Sequence, residues 1–129
     1  MQVYTSGEDY LEAILVIQRE KGVVRSIDIA NELGYSKPSV SIAMKKLREQ
    51  NCIEMDSDGC ITLLPAGREI AEHIYDRHRV LTDFFVHLGV SPDTAAEDAC
   101  KVEHDLSEET YQRIKEHALA VLDSLGEGR

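Results

Sequence analysis

The stretch "SIDIANELGYSKPSVSIAMKKL", residues 26–47, constrains the fold more than any other. Ser26 can cap a short helix, "IDIANEL", that stops at Gly34, because glycine accepts the left-handed backbone that ends a helix. Ser36 then caps a second helix with Pro38 tolerated in its first turn, and Val40, Ala43, Met44 and Leu47 form its buried stripe. Next comes "CIEMDSDGCITLL", two short β-prone runs around Asp-Ser-Asp-Gly, which predicts a hairpin. Ahead of them, Ser6 followed by Asp9 resembles a capping box, and Leu11, Ile14, Leu15 and Ile17 keep helical spacing. Helix, turn, helix, hairpin is the order of a winged helix-turn-helix.

Beyond the hairpin the pattern is helical. A long helix begins near Pro65, with Ile70, Ile74, Leu81, Phe85 and Leu88 as its apolar stripe and Gly89 as its end. Ser91-Pro92-Asp93 opens another, and Ser107 opens a last one through Tyr111, Ile114, Ala118, Val121 and Leu122; "GEGR" reads as a loose tail. Three amphipathic helices make too small a core alone, so this part predicts a dimer interface. The expected fold is mainly α: a winged helix-turn-helix domain over residues 1–64, then an all-helical metal-binding and dimerisation domain over residues 65–129.

The net charge of −10 argues against general nucleic-acid affinity, but it hides a partition. From Lys21 to Asn51 six bases face three acids, whereas from Asp93 to Glu109 seven acids face Lys101 alone. The three cysteines cannot all pair with one another, which favours a reducing cytoplasm, with Cys52 and Cys60 as packing residues. No apolar run reaches membrane-span length, and the start "MQVYTSGEDY" has no signal-peptide pattern.

On the second helix of the motif the buried stripe leaves Pro38, Ser39, Ser41, Ile42, Lys45 and Lys46 outward, with Arg25, Ser36 and Lys37 nearby. Lysines alone would be a solvated face. Ile42, at the centre of the polar side, is harder to explain that way. Apolar groups suit thymine methyls, hydroxyls suit base edges and lysines suit phosphates, so this helix is expected to read the major groove of double-stranded DNA.

A second constellation is "ACKVEHDLS", residues 99–107. Cys100, Glu103 and His104 would share one helical face, flanked by Asp98 and Asp105. Asp9 and Glu12 lie on one face of the first helix, and His78 falls in step with Ile74, Leu81 and Phe85. Each alone has an ordinary explanation: a packing thiol, acids facing a helix dipole, a satisfied core histidine. Together, carboxylates, imidazoles and a thiolate suit a divalent transition metal, and crowded acids need such a cation or a base, of which few are local.

The whole chain resembles the diphtheria toxin repressor family of metal-dependent transcriptional repressors, most closely its short manganese transport regulator branch. The segments "SIDIANELGYSKPSVSIAMKKL", "PAGREIAEHIYDRHRVL" and "EDACKVEHDLS" carry the likeness. It implies a homodimer on a palindromic operator, and a divalent metal as corepressor. Asp9, Glu12, His78, Glu103 and His104 match ligands of the manganese branch. Cys100 departs from it, since that branch has a glutamate there and the iron branch a cysteine; conversely the iron branch has methionine where Asp9 stands. Thr82 and Ala96 occupy positions of iron-branch ancillary ligands, and Ile42 replaces a base-contacting glutamine. The chain is expected to stop before the small barrel domain of longer members. Fe(II) is the expected corepressor and Mn(II) the alternative, with Zn, Co or Ni able to bind in vitro.

Two other functions compete. A winged-helix regulator answering to a small organic ligand would leave the acidic cluster as surface. A thiol enzyme or redox switch using Cys100 beside His104 is disfavoured, because the surrounding acids oppose a thiolate and no oxyanion-hole motif is present. Catalysis is not expected.

Overall fold

Leu11, Ile14 and Leu15 are fully buried and Ile17 nearly so, which makes the spacing seen in the sequence the inner face of α1 (Thr5–Lys21). This computed structural model describes residues 5–127, and side chains within residues 7–121. The Ser6 side chain, and with it the expected capping box, lies outside the described residues, as do the Leu122 side chain and the last residues of the tail.

The second helix, α2 (Ser26–Leu33), starts differently from expectation. Its N-cap is Arg25, not Ser26: the Asp28 carboxylate accepts the Arg25 backbone N–H at 2.9 Å, so a downstream acid satisfies the capping residue. Gly34 closes the helix at φ +72. In α3 (Lys37–Glu49) Ser36 is the N-cap as expected, its hydroxyl accepting the Ser39 N–H at 3.3 Å, with Pro38 in the first turn. Val40, Met44 and Leu47 are buried and Ala43 half-buried.

The wing is a hairpin of β1 (Ile53–Met55) and β2 (Ile61–Leu63), antiparallel with Ile53 opposite Leu63 and Met55 opposite Ile61. Asp56 shapes its tip by accepting the N–H groups of Asp58 and Cys60, both at 2.9 Å. Asn51, at φ +59, makes the sharp exit from α3 into β1. Cys52 is fully buried, and burial pushes its thiol up, as suits a packing residue. At Gly67 a side chain would fall within contact distance of the Cys52 carbonyl, so glycine alone lets α4 lie this close to the strand.

Helix α4 (Pro65–His87) begins in this first compact unit, Met1–His73, and runs into the second, Ile74–Arg129. The second unit continues with α5 (Pro92–Val102) and α6 (Glu108–Glu127). Its core differs in kind: Ile74, Leu81, Ala95, Ala99, Tyr111 and Ala118 are buried, but so are Arg77 and Glu103. Leu88 lies past the end of α4 and is 63% exposed, so it does not continue the stripe that the sequence suggests. The fold is therefore mainly α, a winged helix-turn-helix followed by helices.

Candidate metal centre

Four expected ligands, His78, Cys100, Glu103 and His104, belong to the second unit, and three of them meet. Glu103 caps α5 and its side chain is 0% exposed. Its Oε2 lies 2.9 Å from Nδ1 of His78 on α4. Its Oε1 is 3.4 Å from Nε2 of His104, yet it has no hydrogen-bond partner among the described residues. The His104 side chain is itself nearly buried. A carboxylate removed from water is costly unless cations or donors offset it, and here one oxygen is left over. A buried carboxylate between two imidazoles, with one oxygen unused, is a donor set that fits a divalent transition metal ion.

The route by which these residues meet differs from the expected one. Cys100, Glu103 and His104 do not share a helical face, because α5 ends at Val102 and His104 lies in the turn beyond it. The Asp105 N–H closes that turn on the Val102 carbonyl at 2.9 Å. The carbonyls of Glu103 and Leu106 accept from Nη1 of Arg77, each at 2.9 Å, in place of further helical N–H groups. Sequence reasoning missed Arg77. The available signal was a helix end, "KVEHDLSEE", with no glycine or asparagine to cap it, so that its carbonyls needed a donor from elsewhere.

Cys100 is exposed on α5. Among the described residues its thiol does not join Glu103 and a histidine in a set of ligand atoms lying within 4.8 Å of one another. In the first unit, Asp9 and Glu12 are both half-buried on α1.

The expected reading face is open. Arg25, Ser36, Lys37, Pro38, Ser39, Ser41, Lys45 and Lys46 are exposed, and Ile42 stands 59% exposed although it is a large apolar residue. The Ser36 hydroxyl is engaged as the α3 cap.

Together, a winged helix-turn-helix with an open recognition helix and a helical unit with a buried carboxylate–imidazole cluster define the class of metal-responsive DNA-binding regulators. Comparison with known proteins agrees. The family profile "Iron dependent repressor, N-terminal DNA binding domain" matches residues 2–59. The profile "Iron dependent repressor, metal binding and dimerisation domain" matches residues 64–119. Transcriptional regulator MntR of Escherichia coli O6:H1 (strain CFT073) is 39% identical over 108 residues, 84% of this chain and 70% of the relative. HTH-type transcriptional regulator MntR of Geobacillus kaustophilus (strain HTA426) is 34% identical over 109 residues, covering 84% of this chain and 77% of that protein. Among solved structures, a manganese-dependent transcriptional repressor in complex with manganese superposes with a TM-score of 0.80 at 31% identity. That match covers 87% of this chain and 52% of the other, so this chain spans about half of that repressor's length. The chain belongs to the iron-dependent repressor family of metal-dependent transcriptional regulators.

Proposed function

We propose that this chain is a metal-dependent transcriptional repressor that binds double-stranded DNA as a homodimer at a palindromic operator, with Fe(II) or Mn(II) as corepressor. The observation that carries the reading is Glu103, a fully buried carboxylate between His78 and His104 with one oxygen left without a hydrogen bond. The proposed ligand set adds Asp9 and Glu12 from α1, and Cys100 from the exposed side of α5, to that trio. A divalent cation would offset the negative charge of these carboxylates. His78 and His104 contribute ring nitrogens, and Asp9, Glu12 and Glu103 contribute carboxylate oxygens. Metal binding favours the form in which the two α3 helices of a dimer suit successive major grooves. The DNA contacts are those of the open α3 face, with Arg25, Lys37, Lys45 and Lys46 toward phosphates, and Ser36, Pro38, Ser39, Ser41 and Ile42 along the base edges.

The task is binding, not catalysis, in a cytoplasm that keeps the cysteines reduced. Support for metal identity comes from the solved relative described as a manganese-dependent transcriptional repressor, and from Cys100, whose softer sulfur favours iron, cobalt and zinc over manganese. Among the described residues, no helix is long and apolar enough to cross a membrane.

A DNA-binding titration tests the reading, using a palindrome selected from random sequence, across divalent metals and a chelator. Tight binding with Fe(II) or Mn(II), abolished by chelator, is expected. Operator binding indifferent to metal would transfer the function to an organic-ligand regulator.

A further inference from the structure

We infer that Arg77 is a positioning residue for the metal centre: its guanidinium fork clamps the turn that carries Glu103 and His104, an inference that rests on the metal reading above. Arg77 is 7% exposed, although arginine is rarely buried without a purpose. Its Nη1 donates to the Glu103 and Leu106 carbonyls, each at 2.9 Å, and its Nη2 to Oε2 of Glu108 at 2.9 Å. One rigid group thus holds the end of α5, the connecting turn and the first turn of α6. The Tyr111 ring lies 4.8 Å beneath the guanidinium carbon and fixes its plane.

Neighbouring helices end differently. Gly34 closes α2 and Gly89 follows α4, both with left-handed backbone, whereas no glycine or asparagine follows α5 before α6 begins. The carbonyl end of α5 is also the negative end of its dipole, where a cation is favoured. Because the Glu103 carbonyl is held, its side chain starts from a fixed backbone position, which limits where its carboxylate can reach. Arg77 also directly precedes His78, so clamp and ligand leave the same turn of α4. Lysine would keep the charge but not the planar fork needed to reach two carbonyls and a carboxylate together.

The test compares wild type, Arg77→Lys and Asp76→Asn in the full chain. Asp76 serves as control because it contacts Tyr111 and Lys115 of α6 from the same turn of α4 without touching the Glu103 turn. Co(II) binding is followed by its absorption bands, and amide hydrogen exchange is measured across residues 103–107 without metal. Arg77→Lys should weaken Co(II) binding about 10- to 100-fold, as loss of a ligand-orienting group does, alter the bands and speed exchange in that segment. Asp76→Asn should leave all three at wild-type values. Wild-type affinity and exchange in Arg77→Lys, or equal losses in Asp76→Asn, would overturn the inference. If Arg77→Lys does not fold, Glu108→Ala decides: weaker Co(II) binding with faster exchange supports the clamp, and wild-type values overturn it. A wild-type protein that takes up no Co(II) would overturn the metal reading, and this inference with it.

Discussion

The two compact units solve the same problem with opposite materials. Around Leu11, Ile14, Leu15, Val40 and Met44 the first unit excludes water with hydrophobic side chains, and its buried positions among the described residues carry no charge. The second buries Arg77 and Glu103 among small residues such as Ala95, Ala99 and Ala118. An apolar core is stable without help, whereas a core holding a carboxylate costs free energy until a partner offsets it. The difference teaches that the first unit is built to be the same in all conditions and the second to answer to one.

The sharpest way to break this contrast is to truncate each core. Leu15→Ala should cost about 2–5 kcal/mol of stability, as cavity formation in apolar interiors does, measured by denaturant unfolding. Gly67→Ala should follow at about 1–3 kcal/mol, since the new methyl presses on the Cys52 carbonyl. Glu103→Gln, by contrast, should leave the metal-free protein within about 1 kcal/mol of wild type, because an uncharged amide retains a hydrogen bond to His78 and sheds the burial cost of charge. A loss at Glu103 as large as that at Leu15 would mean that the second core is ordinary.

A smaller effect sharpens the comparison further. Burial alone would raise the Asp76 carboxyl, but hydrogen bonds from Lys115 and Tyr111, with the charges of Lys115 and Arg79, override it and hold the group below the usual carboxylate range. Its folded value therefore lies below its unfolded one. The stabilisation is complete above about pH 4, the unfolded carboxylate value, and fades as pH falls through the lower folded value. Asp76→Asn should cost about 0.5–1 kcal/mol at neutral pH and flatten the acid limb of a stability–pH profile; an unchanged profile would remove Asp76 from the account.

The first unit was also the more legible in sequence. Its elements follow local rules: Ser36 caps α3, Gly34 ends α2, and the Asp-Ser-Asp-Gly run turns the hairpin. Even its one shift, Arg25 in place of Ser26 as the α2 cap, stays within a single turn. In the second unit the meeting of His78, Glu103 and His104 was anticipated, but the means was not. Helical periodicity cannot foresee that α5 stops at Val102, because the carbonyls of the turn that follows are satisfied by an arginine 26 residues away in sequence from Glu103. Leu88 misled for a related reason: spacing continues to assign a face after the helix has ended.

The smallest effect on stability belongs to the reading face. Lys45→Ala should not alter unfolding, yet it should weaken binding to all DNA sequences and reduce the salt dependence by about one phosphate contact. Ile42→Ala should act at particular base pairs instead. If both leave affinity and sequence preference intact, α3 is not the reader.

The most direct test of the central claim is a calorimetric titration of Mn(II) into wild type and Glu103→Gln. The account predicts saturable binding by wild type and at least about a tenfold loss of affinity in the variant, with both proteins folded before metal is added. Equal Mn(II) affinity in the two would contradict it, because the buried carboxylate between His78 and His104 would then hold no ion.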